Sequence, residues 1–332
     1  MSNNTTVFSG IRCTVLAGNP LEGDALSSFV EAVALAEGES LTELLRCARD
    51  IRMERLGRTV NLCAIVNAKS GRCTEDCAFC AQSGHFSAKA PVHSFLSPEQ
   101  IENAARAMRT AGATRFGIVS SGLALLDEDF SLLLESVRRV AALGLQADAS
   151  CGLVTPARFA ALKDAGLAAY HHNLETARSF FPQICTTHGY EEDVQAVRDA
   201  LSAGLYVCSG GIFGLGESWR QRAELALTLR ELGVMSVPVN FLTPIPGTPM
   251  AAREPLSPEE ALKIVALLRF LLPDAHIRIC GGRKTVFGRT SPITLLEAGA
   301  SGLMIGDYLT TQGPDIASDR QAILDAGWEI TD

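Results

Sequence analysis

The sequence contains no run of 18 apolar residues, and Met1 to Pro20 has neither the charged start nor the continuous apolar stretch of a secretion signal. A membrane-spanning or exported protein is therefore not expected, and a cytoplasmic one is. Basic charge is scarce as well: 29 Lys and Arg stand against 37 Asp and Glu, a net charge of −8 with no polybasic run. Without a basic stripe, nucleic acid and anionic membrane surfaces are poor partners. Charged residues make up only 20% of the chain against 47% hydrophobic, so 332 residues can bury a core large enough for a single α/β domain. No linker, low-complexity tract or short-period repeat divides it. Ten cysteines without an export signal point to reduced thiols and metal ligation rather than a disulfide framework.

Between Pro20 and Gly57 the apolar residues Leu26, Phe29, Val30, Val33, Leu41, Leu44 and Leu45 recur at helical intervals, which predicts a helical cap. Downstream, short apolar runs alternate with longer amphipathic segments, the pattern of parallel βα units. The runs 60–67, 115–119, 145–150, 167–172, 205–211, 234–242, 276–280 and 302–305 read as strands. Alternation of eight strands with helices predicts an α/β fold, a (β/α)8 TIM-type barrel over 59–332 with an N-terminal helical extension over 1–58, in one domain overall. Ser97-Pro98-Glu99-Gln100 and Ser257-Pro258-Glu259-Glu260 each combine a cap residue, a first-turn proline and early acids, as helix starts do. The active site of such a barrel lies in the loops at the C-terminal ends of the strands.

The loop after the first predicted strand carries Cys73, Cys77 and Cys80 in a Cys-x3-Cys-x2-Cys spacing. Three thiolates can hold three irons of a [4Fe-4S] cluster and leave the fourth open. An open iron calls for a small chelating ligand, and S-adenosylmethionine offers an amine and a carboxylate. The alternative is zinc, which requires a fourth Cys or His at finger-like spacing; the nearest candidate is His85. In this spacing the chain resembles the radical S-adenosylmethionine enzymes. A cluster over the barrel mouth would keep radical chemistry away from bulk water.

Two further stretches fall at strand ends. Val207 to Glu217 holds four glycines in seven residues, which lets backbone approach a bound ligand at Gly210, Gly211 and Ile212, or simply makes a strand-to-helix turn. Tyr170 to Thr176 includes Asn173 and Glu175, whose amide and carboxylate can bind a ribose or a urea-like group; the other reading is a helix cap by Asn173 or Thr176.

Over roughly residues 40 to 330 the chain is similar to the biotin synthase family, through the cysteine loop, Tyr170 to Thr176, Val207 to Glu217, Ser236 to Leu242 and Pro246-Gly247-Thr248-Pro249. The resemblance implies sulfur insertion into dethiobiotin by a 5′-deoxyadenosyl radical, with a flavodoxin- or ferredoxin-type electron donor and a homodimer. It also implies that Phe79 lies beside the adenine, that Glu175 holds the S-adenosylmethionine ribose, and that Asn173, Asn240 and Lys69 face dethiobiotin. His188 stands where the family usually has an arginine for the S-adenosylmethionine carboxylate. A radical lyase or hydrogenase-maturation enzyme of the same barrel type is the alternative, against which Asn173, Asn240 and the interior cysteines argue.

The sulfur source is where the chain departs from its family. Typical members use a [2Fe-2S] cluster held by three cysteines and an arginine; here Gly117 and Asp148 replace two of the cysteines, while Cys208 and Arg278 remain. Cys63 and Cys280 are new. Cys63, Cys208 and Cys280 fall on predicted strands one, five and seven, and alternate strands of a barrel contribute to one interior layer. They are therefore expected to converge, with Asp148, Ser150 or Cys151 from strand three in the fourth place. Cysteine as an ordinary small buried hydrophobe is the alternative for each. Three thiolates suit a [4Fe-4S]-type auxiliary cluster with an extra sulfide on its open iron; a [2Fe-2S] cluster with Arg278 as ligand stays open. Cys13, Cys47 and Cys185 read as ordinary thiols.

Overall fold

The computed structural model describes residues 5–331. Its parallel strands are β1 (Thr59–Lys69), β2 (Arg115–Ser120), β3 (Gln146–Ser150), β4 (Leu167–His171), β5 (Tyr206–Cys208), β6 (Gly211–Phe213), β7 (Ser236–Phe241), β8 (His276–Ile279), β9 (Gly302–Met304) and β10 (Glu329–Ile330). They pair in chain order, and β1 also pairs with β9, which closes the barrel; β10 adds to the start of β1. The eight-stranded barrel expected from the alternation is present, with one difference.

The fifth strand, expected as 205–211, is two pieces, β5 and β6, on either side of Ser209-Gly210. Register does not change across the gap: Cys208 pairs with Ser236 and Gly211 with Val239. The break lies opposite Pro238, which has no N–H to give to the ladder. Gly210 fits there because any Cβ would overlap the Pro238 carbonyl oxygen.

Around the sheet run α4 (Pro98–Thr110), α5 (Asp127–Ala142), α6 (Pro156–Asp164), α7 (Tyr190–Ser202), α8 (Trp219–Glu231), α9 (Pro258–Leu271), α10 (Arg283–Phe287), α11 (Ile293–Glu297) and α12 (Ile316–Asp325). Both anticipated helix starts are real caps: Ser97 accepts from Gln100 N with the reciprocal bond also made, and Ser257 accepts from Glu260 N. Among the described residues no helix is long and apolar enough to cross a membrane.

Before the barrel lie α1 (Thr5–Leu16), α2 (Gly23–Leu35) and α3 (Gly38–Leu56). The periodicity reads 20–57 as one helical stretch, whereas the structure breaks it at Gly38, whose φ is +52°, and adds α1. In α1 the buried residues Phe8 and Val15 sit among β-branched Thr5, Thr6, Val7 and Thr14, which dilutes the helical signal.

The N-terminal end of the barrel is closed by two fully buried arginines without a carboxylate partner. Arg269 on α9 donates to the carbonyls of Gly299 (2.9 Å), Leu272 (3.1 Å), Pro273 (2.9 Å) and Ala275 (2.8 Å). Arg52 on α3 donates to Ala300 O, Gly57 O and Thr59 O and lies over the Trp328 ring. These carbonyls end helices or lead into strands, so the guanidinium groups satisfy acceptors that the helices leave open. Arg269→Leu should expose four buried carbonyls to an apolar neighbour. A loss of about 3 kcal/mol is expected, read as a lower denaturation midpoint; an unchanged midpoint would mean that water replaces the guanidinium freely.

Candidate active site

One cavity of about 370 Å³ opens at the C-terminal ends of the strands. On one wall stand Cys73, Cys77 and Cys80, with Phe79 beside them. The loop is fixed by backbone bonds: Cys73 N donates to Gln82 O, Gly84 N to Cys73 O, Cys80 N to Cys77 O, and Ala78 N to Ile184 O, each between 2.8 and 2.9 Å. Burial pushes the Cys80 thiol up to about 11; a bond with Cys185, together with burial, raises Cys77. His85, the candidate fourth zinc ligand, instead places Nε2 2.8 Å from Thr74 O. Three soft donors facing one open space, without a fourth closing the tetrahedron, fit an iron-sulfur cluster with one free iron better than a structural zinc.

Cys185, which reads as an ordinary thiol, lies behind this wall. Its Sγ is 3.9 Å from Cys77 Sγ, 3.3 Å from Asp76 Oδ1 and 3.2 Å from His188 Nδ1. Donor atoms of Glu75, Cys185 and His188 all fall within 4.8 Å of one another. His188 is flanked by carboxylates, Glu75 at 2.7 Å from Nδ1 and Asp193 at 3.4 Å from Nε2. Hydrogen bonding to Asp193 and then Glu75 pushes its pKa up to about 9, against burial, so the ring is cationic at neutral pH. His172 bonds the same Asp193 at 2.7 Å. A residue expected to replace an arginine is thus a cation, but one whose charge is already met by two acids.

Glu175 lines the cavity with a left-handed backbone, φ +59°. Burial, then the Asp193 charge, push its carboxyl up to about 8. Asn173 accepts from Gly210 N at 3.2 Å and donates to Glu175 at 3.4 Å, and no helix begins at Asn173 or Thr176 to be capped. Asn240 donates to Gly211 O at 3.3 Å and accepts from Gly281 N at 2.9 Å. Each amide has both kinds of bond made and keeps one N–H and one lone pair for a ligand.

Three expected contacts are placed differently. Ile212 borders the cavity, but Gly210 and Gly211 do not. Their missing side chains serve protein packing instead, since a Cβ would overlap the carbonyl oxygens of Pro238 and Glu175 respectively. Lys69 is also outside the lining residues, its ammonium 2.7 Å from Asp129 Oδ2.

Deeper in the same cavity lie Cys63, Cys208, Cys280 and Arg278. A hydrogen bond from the Cys280 thiol lowers the Cys63 pKa to about 7 despite burial, while burial raises Cys208 to about 12. Arg278 donates to Ser236 Oγ (2.9 Å) and Asn61 Oδ1 (3.4 Å), yet its Nη1 is buried with no hydrogen-bond partner. An orphaned cationic donor among three thiols fits an anionic sulfide-bearing group there. Of the fourth-place candidates, Cys151 turns away, its Sγ 3.9 Å from the Tyr170 hydroxyl and outside the lining. Both Asp148 oxygens are taken by Arg115, at 2.6 and 2.9 Å, and His171 adds a bond at 3.2 Å. Ser150 remains on the wall. His171 was missed by the reading of residues, although its pairing with Cys208 places it in this interior.

Residues 68–229 match the Radical SAM superfamily model, and 238–329 match the Biotin and Thiamin Synthesis associated domain. The chain is 49% identical over 301 residues to a biotin synthase of Pelotomaculum thermopropionicum, covering 90% of this chain and 94% of that one. It is 47% identical over 318 residues to a biotin synthase of Geobacter sulfurreducens, covering 95% of each. Among solved structures, methylornithine synthase superposes with a TM-score of 0.83 at 21% identity over 97% of each chain. An FeFe-hydrogenase maturase from Carboxydothermus hydrogenoformans gives 0.79 at 21% identity, over 98% of this chain and 79% of that one. At that identity the last two establish the barrel and nothing of the chemistry.

The raised Glu175 carboxyl makes a test of the site's electrostatics. Its folded-state pKa of about 8 lies above the ordinary 4.5, so the stability its proton brings is complete below 4.5 and is lost as pH rises through 8. Glu175→Gln should therefore match the parent at pH 5 in the ligand-free protein and exceed it in melting temperature at pH 8.5. Equal melting temperatures at both pH values would show the carboxyl to be well solvated.

Proposed function

The chain belongs to the biotin synthase family, and from that premise we propose how its own residues serve the insertion of sulfur into dethiobiotin. It is a radical S-adenosylmethionine sulfurtransferase; the hydrogenase-maturase alternative shares only the fold with this chain. When bound, the [4Fe-4S] cluster and S-adenosylmethionine supply a carbon radical able to open unactivated C–H bonds, and an auxiliary cluster supplies sulfur.

Cys73, Cys77 and Cys80 hold the first cluster. Phe79, packed on the cavity wall, covers the adenine; Glu175 accepts from the ribose; and the His188 cation faces the ligand's carboxylate from between Glu75 and Asp193. Asn173 and Asn240 orient dethiobiotin through the N–H and lone pair each has spare, which match a ureido ring. Backbone bonds already lock both amides, so binding orders little. Cys63, Cys208 and Cys280 hold the auxiliary cluster, with Arg278 directing its orphaned N–H at the cluster's negative charge. A [4Fe-4S]-type cluster with an added sulfide is favoured over [2Fe-2S], because each of the three thiolates then takes one iron. The observation that carries this reading is a single cavity bordered by two sets of three cysteines with both asparagines on its wall. Residues 1–58 act as a helical extension on the barrel of 59–332, supported by the Arg52 bonds to Gly57, Thr59 and Ala300; residues 1–4 and 332 lie outside the described residues. Family membership supports a flavodoxin- or ferredoxin-type electron donor, a homodimer and a cytoplasmic location as parts of the same proposal.

Replacing Cys63 and Cys280 separately by Ser should lower iron content by about one cluster and stop biotin formation, while reductive cleavage of S-adenosylmethionine continues. Full iron and continued biotin formation in both variants would make them ordinary core cysteines. Asn173→Ala or Asn240→Ala should weaken dethiobiotin binding by about 1 to 3 kcal/mol, the cost of a buried polar group left unmatched. Unaltered affinity in both, by calorimetry, would remove the amides from the substrate site.

A further inference from the structure

His171 ends β4, and its Cα partner across the ladder is Cys208 of β5. Paired positions on neighbouring strands point to the same face, and both side chains line the cavity. The imidazole is held from one side only. Its Nε2 is 3.2 Å from Asp148 Oδ2. Asp148 is fully buried, and Arg115 grips both its oxygens. Held on both oxygens by a guanidinium, the carboxylate accepts from Nε2 of the ring, so Nδ1 is the nitrogen left for a ligand. Nδ1 makes no hydrogen bond among the described residues, and the ring borders the cavity.

Gly117 borders the ring. A Cβ at 117 would stand 3.1 Å from Ile65 Cγ2 and in ordinary contact, 3.9 Å, with His171 Cε1. A buried carboxylate fixing one nitrogen of a cavity-lining imidazole while the other makes no hydrogen bond among the described residues is the arrangement by which proteins orient metal-binding histidines. Imidazole nitrogen suits iron. Three thiolates leave one iron of a four-iron cluster without a cysteine, and an open iron that can take two ligands, as the first cluster's takes an amine and a carboxylate, has room for an imidazole beside the added sulfide.

We propose that His171, through Nδ1, is a protein ligand of the barrel cluster, on the iron that no cysteine holds, with Asp148 and Arg115 as the residues that position it. This rests on the auxiliary-cluster reading above. Gly117 and Asp148 are then not mere losses of two cysteines: one lies bare beside the imidazole and the other orients it.

The test uses the full chain with Cys73, Cys77 and Cys80 replaced by Ala, so that only the barrel cluster remains, reconstituted anaerobically, reduced and examined by pulsed electron paramagnetic resonance. A directly coordinated nitrogen should give strong 14N coupling that converts to the 15N pattern when the protein is grown on 15N-labelled histidine. His171→Ala should abolish it. Should His171→Ala fail to retain iron, His171→Cys should restore the iron content without the nitrogen coupling. A protein that carries iron but shows no histidine coupling, or keeps the coupling in His171→Ala, overturns the ligand assignment and leaves the cluster reading standing. Absence of iron from the triple variant overturns the cluster reading itself, and this inference with it.

Discussion

A guanidinium in the middle of the barrel, with one nitrogen unpaired, is the constraint around which the interior is arranged. Burying a cation costs several kcal/mol unless its donors are met, and Arg278 has only Ser236 and Asn61 on two of its three nitrogens. Its surroundings are cut to fit it: Gly302, its ladder partner, has no side chain, and a Cβ there would lie 3.1 Å from Nη1. What remains near the free nitrogen is sulfur from Cys63, Cys208 and Cys280. Unlike Arg269, whose nitrogens meet four carbonyls, Arg278 has thiols in place of further oxygen acceptors, and a sulfide-rich anion would meet its free donor. The half-buried Arg115, which also lines the cavity, is by contrast paired with Asp148 through two of its nitrogens, so among the described residues Arg278 is the arginine that presents free positive charge to the thiols.

The barrel itself was legible because parallel strands buried on both faces write near-continuous apolar runs, and the helices between them carry strong start signals such as Ser97-Pro98 and Ser257-Pro258. What was not legible follows from three-dimensional neighbours. The division of the fifth strand originates in Pro238, nearly thirty positions downstream of the break. Helix α1 depends on burial of Phe8 and Val15 against later helices, a tertiary effect that overrides its β-branched composition.

For the site, sequence spacing found the cysteine loop, and the rule that alternate strands share a layer brought Cys63, Cys208 and Cys280 to one cavity. Composition misled where a small residue has two uses. Gly210 and Gly211 were read as room for a ligand, and they are room for the carbonyls of Pro238 and Glu175. The resemblance implies that Lys69 faces substrate, but Asp129 in the first turn of α5 is within reach, and the pair forms outside the cavity lining. Cys185 reads as an ordinary thiol and His171 carries no signal in the sequence because their partners, Asp76 and Cys77 for one and Asp148 for the other, are distant in sequence.

The cavity also changes sign along its depth. Around the mouth, the carboxylates of Glu75 and Asp193 crowd His172 and His188 and outnumber the His188 cation, leaving a region where a positively charged sulfonium or amine is well received. In the interior, Arg278 faces thiols with a donor to spare, which favours sulfide. Between these poles an uncharged ureido ring loses least by leaving water, provided its N–H and C=O groups are matched, and neutral amides match them without adding charge of either sign. Asn173 and Asn240 are neutral amides on that wall, and their bonds with the backbone N–H groups of Gly210 and Gly281 keep them from turning toward either pole. In the proposed function the order of the three zones then follows from electrostatics: cationic ligand outermost, neutral substrate next, anionic sulfur source innermost.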